Sequence, residues 1–310
     1  LVDLALHINK NIKIVVAHVN HNVREESASE LLFVKKYCED NNIIFESMKI
    51  DDYTNSNFEQ EARDKRYKFF ENLIIKYKAK FLLTAHHGDD LIETILMRLV
   101  RGSSLKGYSG FESVKKCKNY TILRPLVTTT KKDIIEYNKK NNIKYVLDYT
   151  NDLDVHTRNR YRKYILPRLK DEDSNVHLKF LKFSNLLLEY DSYIEKECNK
   201  IYRRVCKNDI LDINLFNKLD HIIQIRIINI ILSKIYENNI IYINDKNVYN
   251  IYNMIKSDKP NININLPKNK VGIKNYDKFF IATQIDRKKY KYIFDGKIVF
   301  ENGMTIEKVT

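Results

Sequence analysis

The stretch Lys80–Val100, KFLLTAHHGDDLIETILMRLV, decides the fold. Its first six residues form a near-continuous apolar run of strand length. After Gly88 the apolar residues Ile92, Ile95, Leu96 and Leu99 recur at helical spacing. A strand without alternation is one buried on both faces, and a strand that runs directly into a helix is the repeating unit of a parallel sheet. Working outward, Ile12–Val19 and Ile43–Ile50 have the same strand character, and Ser27–Asp40 and Phe58–Tyr77 have helical spacing. Leu1–Lys10 reads as a further helix. Strands and helices in alternation predict an α/β fold, a doubly wound parallel sheet with helices on both faces.

Ligands of such sheets sit beyond the carboxyl ends of the strands. The segments leaving two of these strands are His18–Arg24 and His86–Asp90. In the second, Asp90, Glu93, Thr94 and Met97 share one helical face, opposite the apolar stripe. Asp90-x-x-Glu93 is compatible with ordinary acidic capping of a helix N-terminus. Two histidines with three carboxylates exceed what capping needs, and such a group could hold a hydrated Mg²⁺ or act as general acid and base. In the first, which leaves the earlier strand, His18 and His21 stand three apart and could be metal ligands, though no further ligand set is visible, and with Asn20 they otherwise read as cleft lining or plain polar loop residues.

Arg66 occupies the middle of the apolar stripe Phe58, Ala62, Phe69, Leu73, Tyr77. A guanidinium in that place is costly unless it meets a carboxylate or a phosphate. Arg158, Arg160, Arg162, Lys163 and Arg168 lie within eleven residues with no acid among them. Phosphate contact is one reading of that run and a solvated charged face the other.

The chain has 310 residues, room for two domains, and carries a formal charge of +14. From residue 151 onward 29 basic residues face 20 acidic ones, against 25 and 20 before it, so the excess favours polyanionic partners in the second half. Four cysteines lie far apart with no C-x-x-C pair, which suits a reduced cytosolic protein and argues against a cysteine-held zinc or iron–sulfur site. No apolar run approaches the roughly 20 residues of a membrane span, and no secretory leader is expected. From about His177 to Ser257 the pattern is helical, and Pro260 and Pro267 open a run of short alternating strands. The expected division is 1–170, 171–258 and 259–310: a catalytic α/β domain, a helical RNA-contacting domain and a β-rich, incomplete C-terminal segment.

The ordered motifs AHVNHNVREES, EARDKRYKFF, LTAHHGDDLIET, RGSSLKGYSGF, LRPL and DYTNDLDVHTRNRYRKYILPRL resemble those of the tRNA(Ile)-lysidine synthases, PP-loop (N-type) ATP pyrophosphatases. The resemblance is dense over about residues 12–170. It implies ATP and Mg²⁺ as cofactors, the isoleucine tRNA with a CAU anticodon and free L-lysine as partners, and a bacterial cytoplasm or an organelle of bacterial origin; a homodimer is compatible with it. By resemblance His86, Asp90, Glu93 and Arg66 match catalytic positions, with Asp90 a Mg²⁺ ligand. His18, Asn20 and His21 match the ATP side, and Arg101, Arg158, Arg160, Arg162 and Lys163 match the tRNA side. The family's Ser-Gly-Gly-x-Asp-Ser phosphate loop has no counterpart here, and Ser104 and Thr150 depart from its usual Gly and Ser. The expectation is therefore an N-terminally incomplete synthase that does not adenylate by itself. The competing readings are a tRNA thiolase of the same superfamily and a non-catalytic tRNA-binding relic.

Overall fold

A computed structural model describes residues 1–8, 12–21, 27–50, 53, 58–146, 154, 156–237, 239, 242–284, 296–300 and 304–308. Arg24 and Thr150 lie outside them. The chain divides into two compact units, Leu1–Ser192 and Tyr193–Thr310.

The first unit runs α1 (Val2–Ile8), β1 (Val15–Asn20), α2 (Ser27–Asp40), β2 (Ile44–Lys49), α3 (Phe58–Tyr77), β3 (Phe81–Leu83) and α4 (Gly88–Arg101). Then come α5 (Leu105–Tyr108), β4 (Val114–Lys116), β5 (Thr121–Leu123) and α6 (Lys131–Lys140). Beyond these lie α7 (Thr157–Arg160), a π-helical turn over Tyr161–Ile165, α8 (Leu166–Glu172) and the start of α9 (Val176–Val205). The alternation expected from the apolar runs is present, and the strands are parallel. β1 pairs with β2 from Val15↔Ile44 to Asn20↔Lys49, and β3 pairs with β5 from Phe81↔Thr121 to Leu83↔Leu123. β4 closes the second group as an antiparallel edge.

The sheet is in two parts. Among the described residues β1 has only β2 as a neighbour and β3 has only β5. A cavity of about 970 Å³ is bordered by both strands, with Ile14, Val16, Leu82 and Leu123 among its apolar lining and Arg66 and His86 as polar members.

Behind β3, α4 buries Leu91, Ile92 and Ile95 completely, and Leu91 and Ile95 join Val127, Phe111, Phe180 and Leu181 in a small core. Gly110 has φ +77°, and a Cβ there would stand 2.8 Å from Leu91 Cδ1. Glycine is thus required for the loop after α5 to lie against α4.

The second unit contains the C-terminal part of α9, β6 (Cys206–Lys207), β7 (Ile210–Asp212), α10 (Ile213–Asn217), α11 (His221–Ile235) and α12 (Asp245–Lys256). β8 (Asn261–Leu266), β9 (Lys270–Asn275), β10 (Lys278–Thr283), β11 (Lys297–Val299) and β12 (Thr305–Glu307) follow. Two features differ from the sequence expectation. The helical stretch is interrupted by the β6–β7 hairpin, whose two-residue loop Asn208-Asp209 has φ of 50° and 60°. Asn and Asp tolerate this left-handed geometry, so a tight hairpin forms without the glycine that would have signalled it. Residues 261–283 are also not separate from the helices. β7 joins β10 in the order β6-β7-β10-β9-β8, and Leu211, Leu266 and Phe279 share one core with Ile227, Ile228 and Leu232 of α11 and Ile251 and Ile255 of α12. The division between the two compact units falls inside α9. Its first turns are held in the first unit, where Ser184 Oγ donates to the Ser109 carbonyl at 2.6 Å.

Candidate functional site

The three carboxylates that open α4, Asp89, Asp90 and Glu93, lie within the first two turns, and the helix sends them to three different tasks. His87 is the N-cap. Its Nδ1 accepts from the Asp90 amide and Asp90 Oδ2 accepts from the His87 amide at 3.0 Å, a reciprocal capping box. Asp89, 3% exposed, turns away and accepts from Lys170 Nζ at 2.8 Å and from the Lys131 amide at 3.0 Å, tying α4 to α8 and α6. Glu93 lies one turn further on and is 1% exposed. Capping therefore accounts for Asp90 and leaves Glu93 to be explained by something else.

That something is arginine. Arg162 donates Nε to Glu93 Oε1 at 2.8 Å and Nη2 to Oε2 at 3.1 Å, a bidentate pair. Arg158 Nε stands 3.3 Å from Glu93 Oε2, and its Nη2 donates to Thr94 Oγ1 at 2.8 Å. Arg162 also reaches Asp90 at 3.7 Å. Arg158 and Arg162, four apart, both turn toward α4, whereas Arg160 and Lys163 turn toward solvent. Arg160 donates to the Asp154 carbonyl and to Thr157, and Lys163 pairs with Asp154 at 3.3 Å. Arg168 pairs with Asp171 on the surface, and Arg101 is exposed.

His86 leaves β3 with its Nδ1 2.9 Å from Thr84 Oγ1 and its ring 5.1 Å from that of Phe111. Burial, opposed by Asp90 and aided by Arg124, Arg158 and Arg63, pushes its pKa down to about 4. The imidazole is therefore neutral at pH 7. Because the folded pKa lies below the unfolded value near 6.5, the unfolded chain binds the proton more tightly, and this group's contribution to stability is present above pH 6.5 and lost as pH falls toward 4. An NMR titration of the His86 ring is expected to show a midpoint near 4; a midpoint near 6.5 would place the ring in water.

Arg66 sits half-buried on α3 and lines the cavity with His86. Among the described residues no carboxylate pairs with it. Its pKa is lowered by burial and by Arg63.

His18, Asn20 and His21 are elsewhere. His18 borders a separate cavity of about 360 Å³ with Glu30 and Lys144–Val146, and its pKa is lowered by burial. Asn20 is buried and donates to the Ser27 carbonyl, and His21 Nδ1 lies 3.2 Å from the Tyr53 hydroxyl. The structure thus gathers His86, Asp90, Glu93, Arg158 and Arg162, places Arg66 on the His86 cavity, and leaves the β1 polar residues with other partners.

Two side chains at the site escaped the sequence reading. Arg124 is 5% exposed, donates to the Glu112 carbonyl and stacks 5.2 Å from the Phe111 ring. Arg98 donates to the carbonyls of Gly107 and Gly110. The available signal was the lone arginine of LRPL at the end of a strand, in a chain where strand ends carry the chemistry.

Among the described residues no three His, Cys, Asp or Glu side chains gather as a metal-holding set. Asp89 and Glu93 are occupied by cations, so a Mg²⁺ would find one protein carboxylate, Asp90, and would need phosphate oxygens for the rest. That is a common arrangement for this ion. The arginines suit a polyphosphate directly.

Residues 1–169 match the PP-loop domain family. The chain is 40% identical over 239 residues to the tRNA(Ile)-lysidine synthase of Bacillus cereus, across 74% of this chain and 50% of that protein. It is 36% identical over 274 residues to the bifunctional protein TilS/HprT of Listeria monocytogenes, across 86% of this chain and 42% of that protein. The chain spans about half the length of the curated relatives it matches. Among solved structures, a U34-tRNA thiolase from Methanococcus maripaludis that holds a 4Fe-4S cluster superposes with a TM-score of 0.52 over 61% of this chain and 66% of that one. At 18% identity it shares the fold.

Proposed function

The chain belongs to the PP-loop domain family, and from that premise we propose that it carries the catalytic part of an enzyme that joins lysine to C2 of the wobble cytidine in isoleucine tRNA with a CAU anticodon. In the first step the C2 oxygen attacks the α-phosphorus of ATP and pyrophosphate leaves. In the second, the lysine side-chain nitrogen attacks C2, the C–O bond breaks, and AMP leaves. The observation that carries the reading is the cluster of His86, Asp90 and arginines at the carboxyl end of β3, in a chain with 40% identity to a lysidine synthase.

Each residue has a definite task in this scheme. Arg66, on the cavity wall and without a carboxylate partner among the described residues, stabilises negative charge that grows on the phosphoryl oxygens. His86, neutral, accepts or donates one hydrogen bond without adding charge. The lysine ammonium has to lose a proton before its nitrogen can attack C2. Glu93 acts by positioning: it fixes Arg158 and Arg162. Asp90 would hold a Mg²⁺, which would supply charge neutralisation at the polyphosphate. Arg101, Arg160 and Lys163 face solvent and meet the tRNA backbone. Residues 1–170 carry the chemistry in this scheme, and those beyond contact the tRNA.

The test uses the complete protein as its source cell makes it. With ATP, labelled lysine and isoleucine tRNA, label enters the tRNA and AMP is released in proportion. Tight tRNA binding without AMP release would leave only a binding protein. A separate expectation concerns the surface cations. Arg160→Gln and Lys163→Gln should each lower the slope of log affinity against log salt by about 1. An unaltered slope would mean a merely solvated face.

A further inference from the structure

Two acids on one ridge of α4 receive the segment that carries the arginines. Asp89 and Glu93 stand four residues apart, where side chains of a helix are neighbours, and both are buried. Glu93 takes Arg162 and Arg158, and Asp89 takes Lys170, two turns beyond Arg162. α7, the π-helical turn and α8 all pack against α4. The 157–172 segment therefore meets that helix at two ionic points rather than one.

The two points differ in what they leave open. At the first, Arg162 also reaches toward Asp90, and a guanidinium there is the group that an arriving polyphosphate would draw on. A carboxylate that must share its arginines with a substrate cannot fix their place by itself. The second point is closed. Asp89 Oδ2 accepts from Lys170 Nζ at 2.8 Å and from the Lys131 amide at 3.0 Å, while Oδ1 is buried with no hydrogen-bond partner among the described residues. The backbone beside it is tightly packed: a Cβ on Gly88 would stand 2.9 Å from His177 Cβ and 3.0 Å from the Val127 carbonyl oxygen. A buried carboxylate in such a place depends on its cation, and the contact holds whether or not a substrate has arrived.

We propose that Lys170 is a positioning residue. Its pair with Asp89 fixes the register of the 157–172 segment on α4, and so holds Arg158 and Arg162 in place while a polyphosphate competes with Glu93 for them. Lys170 itself touches no reacting atom. Its consequence for turnover rests on the ligase reading above; its effect on the arginines does not.

The complete protein is compared as wild type, Lys170→Met, Lys170→Arg and Asp89→Asn. The first reading is the Nε–Hε resonance of Arg162 in the nitrogen NMR spectrum, taken without substrate, because that group donates to Glu93. In Lys170→Met it is expected to shift and to exchange with water about tenfold faster, as the docked segment opens more often. Asp89→Asn keeps the volume and an acceptor for the Lys131 amide but not the charge, and moves the resonance in the same direction. Lys170→Arg keeps the charge and stays near wild type. The second reading is AMP release well below every variant's melting temperature. Lys170→Met raises KM for ATP about tenfold, the cost of displaced binding groups, and Lys170→Arg recovers most of it. A pair that served stability alone would lower the melting temperature and the active fraction, leaving both KM and the Arg162 resonance at wild-type values; that result overturns the proposal. Should Lys170→Met fail to fold, Asp89→Asn carries both readings. A displaced Arg162 resonance in a protein that releases no AMP even as wild type supports the positioning role and overturns the ligase reading instead.

Discussion

Glu93→Ala is expected to lower the stability of the Leu1–Ser192 unit by about 3 kcal/mol, the size typical of removing one partner of a buried ion pair. The reason lies in the geometry. Glu93 is 1% exposed and accepts two hydrogen bonds from Arg162, with Arg158 3.3 Å away. Truncation leaves two guanidiniums partly desolvated and facing each other across an empty site. Glu93→Gln keeps the volume and one acceptor but not the charge, so it should lie between wild type and alanine. Joint replacement, Glu93→Leu with Arg162→Met, removes both charges together and is expected to recover most of the loss, because well-packed apolar residues replace buried pairs at little cost. Urea unfolding measures this, with the midpoint moving and the slope held. Activity should vanish in all three variants. A fully stable Glu93→Ala would mean that water reaches the carboxylate and that the arginines do not depend on it.

Arg66→Ala is the second large effect. In the complete protein, lysine-dependent AMP release is expected to fall about 1,000-fold, the loss typical of removing one group aimed at developing charge. Retention of isoleucine tRNA on a filter should stay near wild type, because Arg66 lines the cavity beside His86 rather than the solvent-facing basic segment. Arg66→Lys restores the charge without the bidentate fork and is expected to recover only part of the rate. Near-normal turnover in Arg66→Ala would remove it from the site.

Much of this was legible in the sequence because burial leaves a periodic trace. Lys80–Val100 announces strand and helix through apolar residues alone, and the grouping of His86, Asp90 and Glu93 follows from helix geometry. The separate duties of Asp89, Asp90 and Glu93 were not legible. Asp89 and Asp90 are chemically identical neighbours, and only the direction of each side chain, about 100° apart on the helix, sends one to Lys170 and the other to the helix cap. Arg66 could be flagged as misplaced on an apolar face, but the sequence left its partner open between carboxylate and phosphate. Arg124 was weakly signalled: LRPL places one arginine at a strand end, but its burial depends on Phe111 and Glu112, earlier in the chain, which that motif does not include. The β6–β7 hairpin was hidden because Asn-Asp did what glycine would have advertised.

The π-helical turn at Tyr161–Ile165 has a consequence for how this segment can vary in length. Such a turn holds one residue more than an α-helical turn, so everything after it is out of phase by about 100° with a continuous helix. Arg158 lies before the extra residue and Lys170 after it, and both must face α4, one at Thr94 and the other at Asp89. Deleting a single residue from the turn would let the helix run on regularly with Leu166 and Lys170 still in phase with Arg158, because the turn already absorbs one residue over the same rotation. The turn is therefore the place in this segment where the residue count can change by one while both anchors keep their faces, and the same deletion in a regular helix would rotate everything beyond it by about 100°.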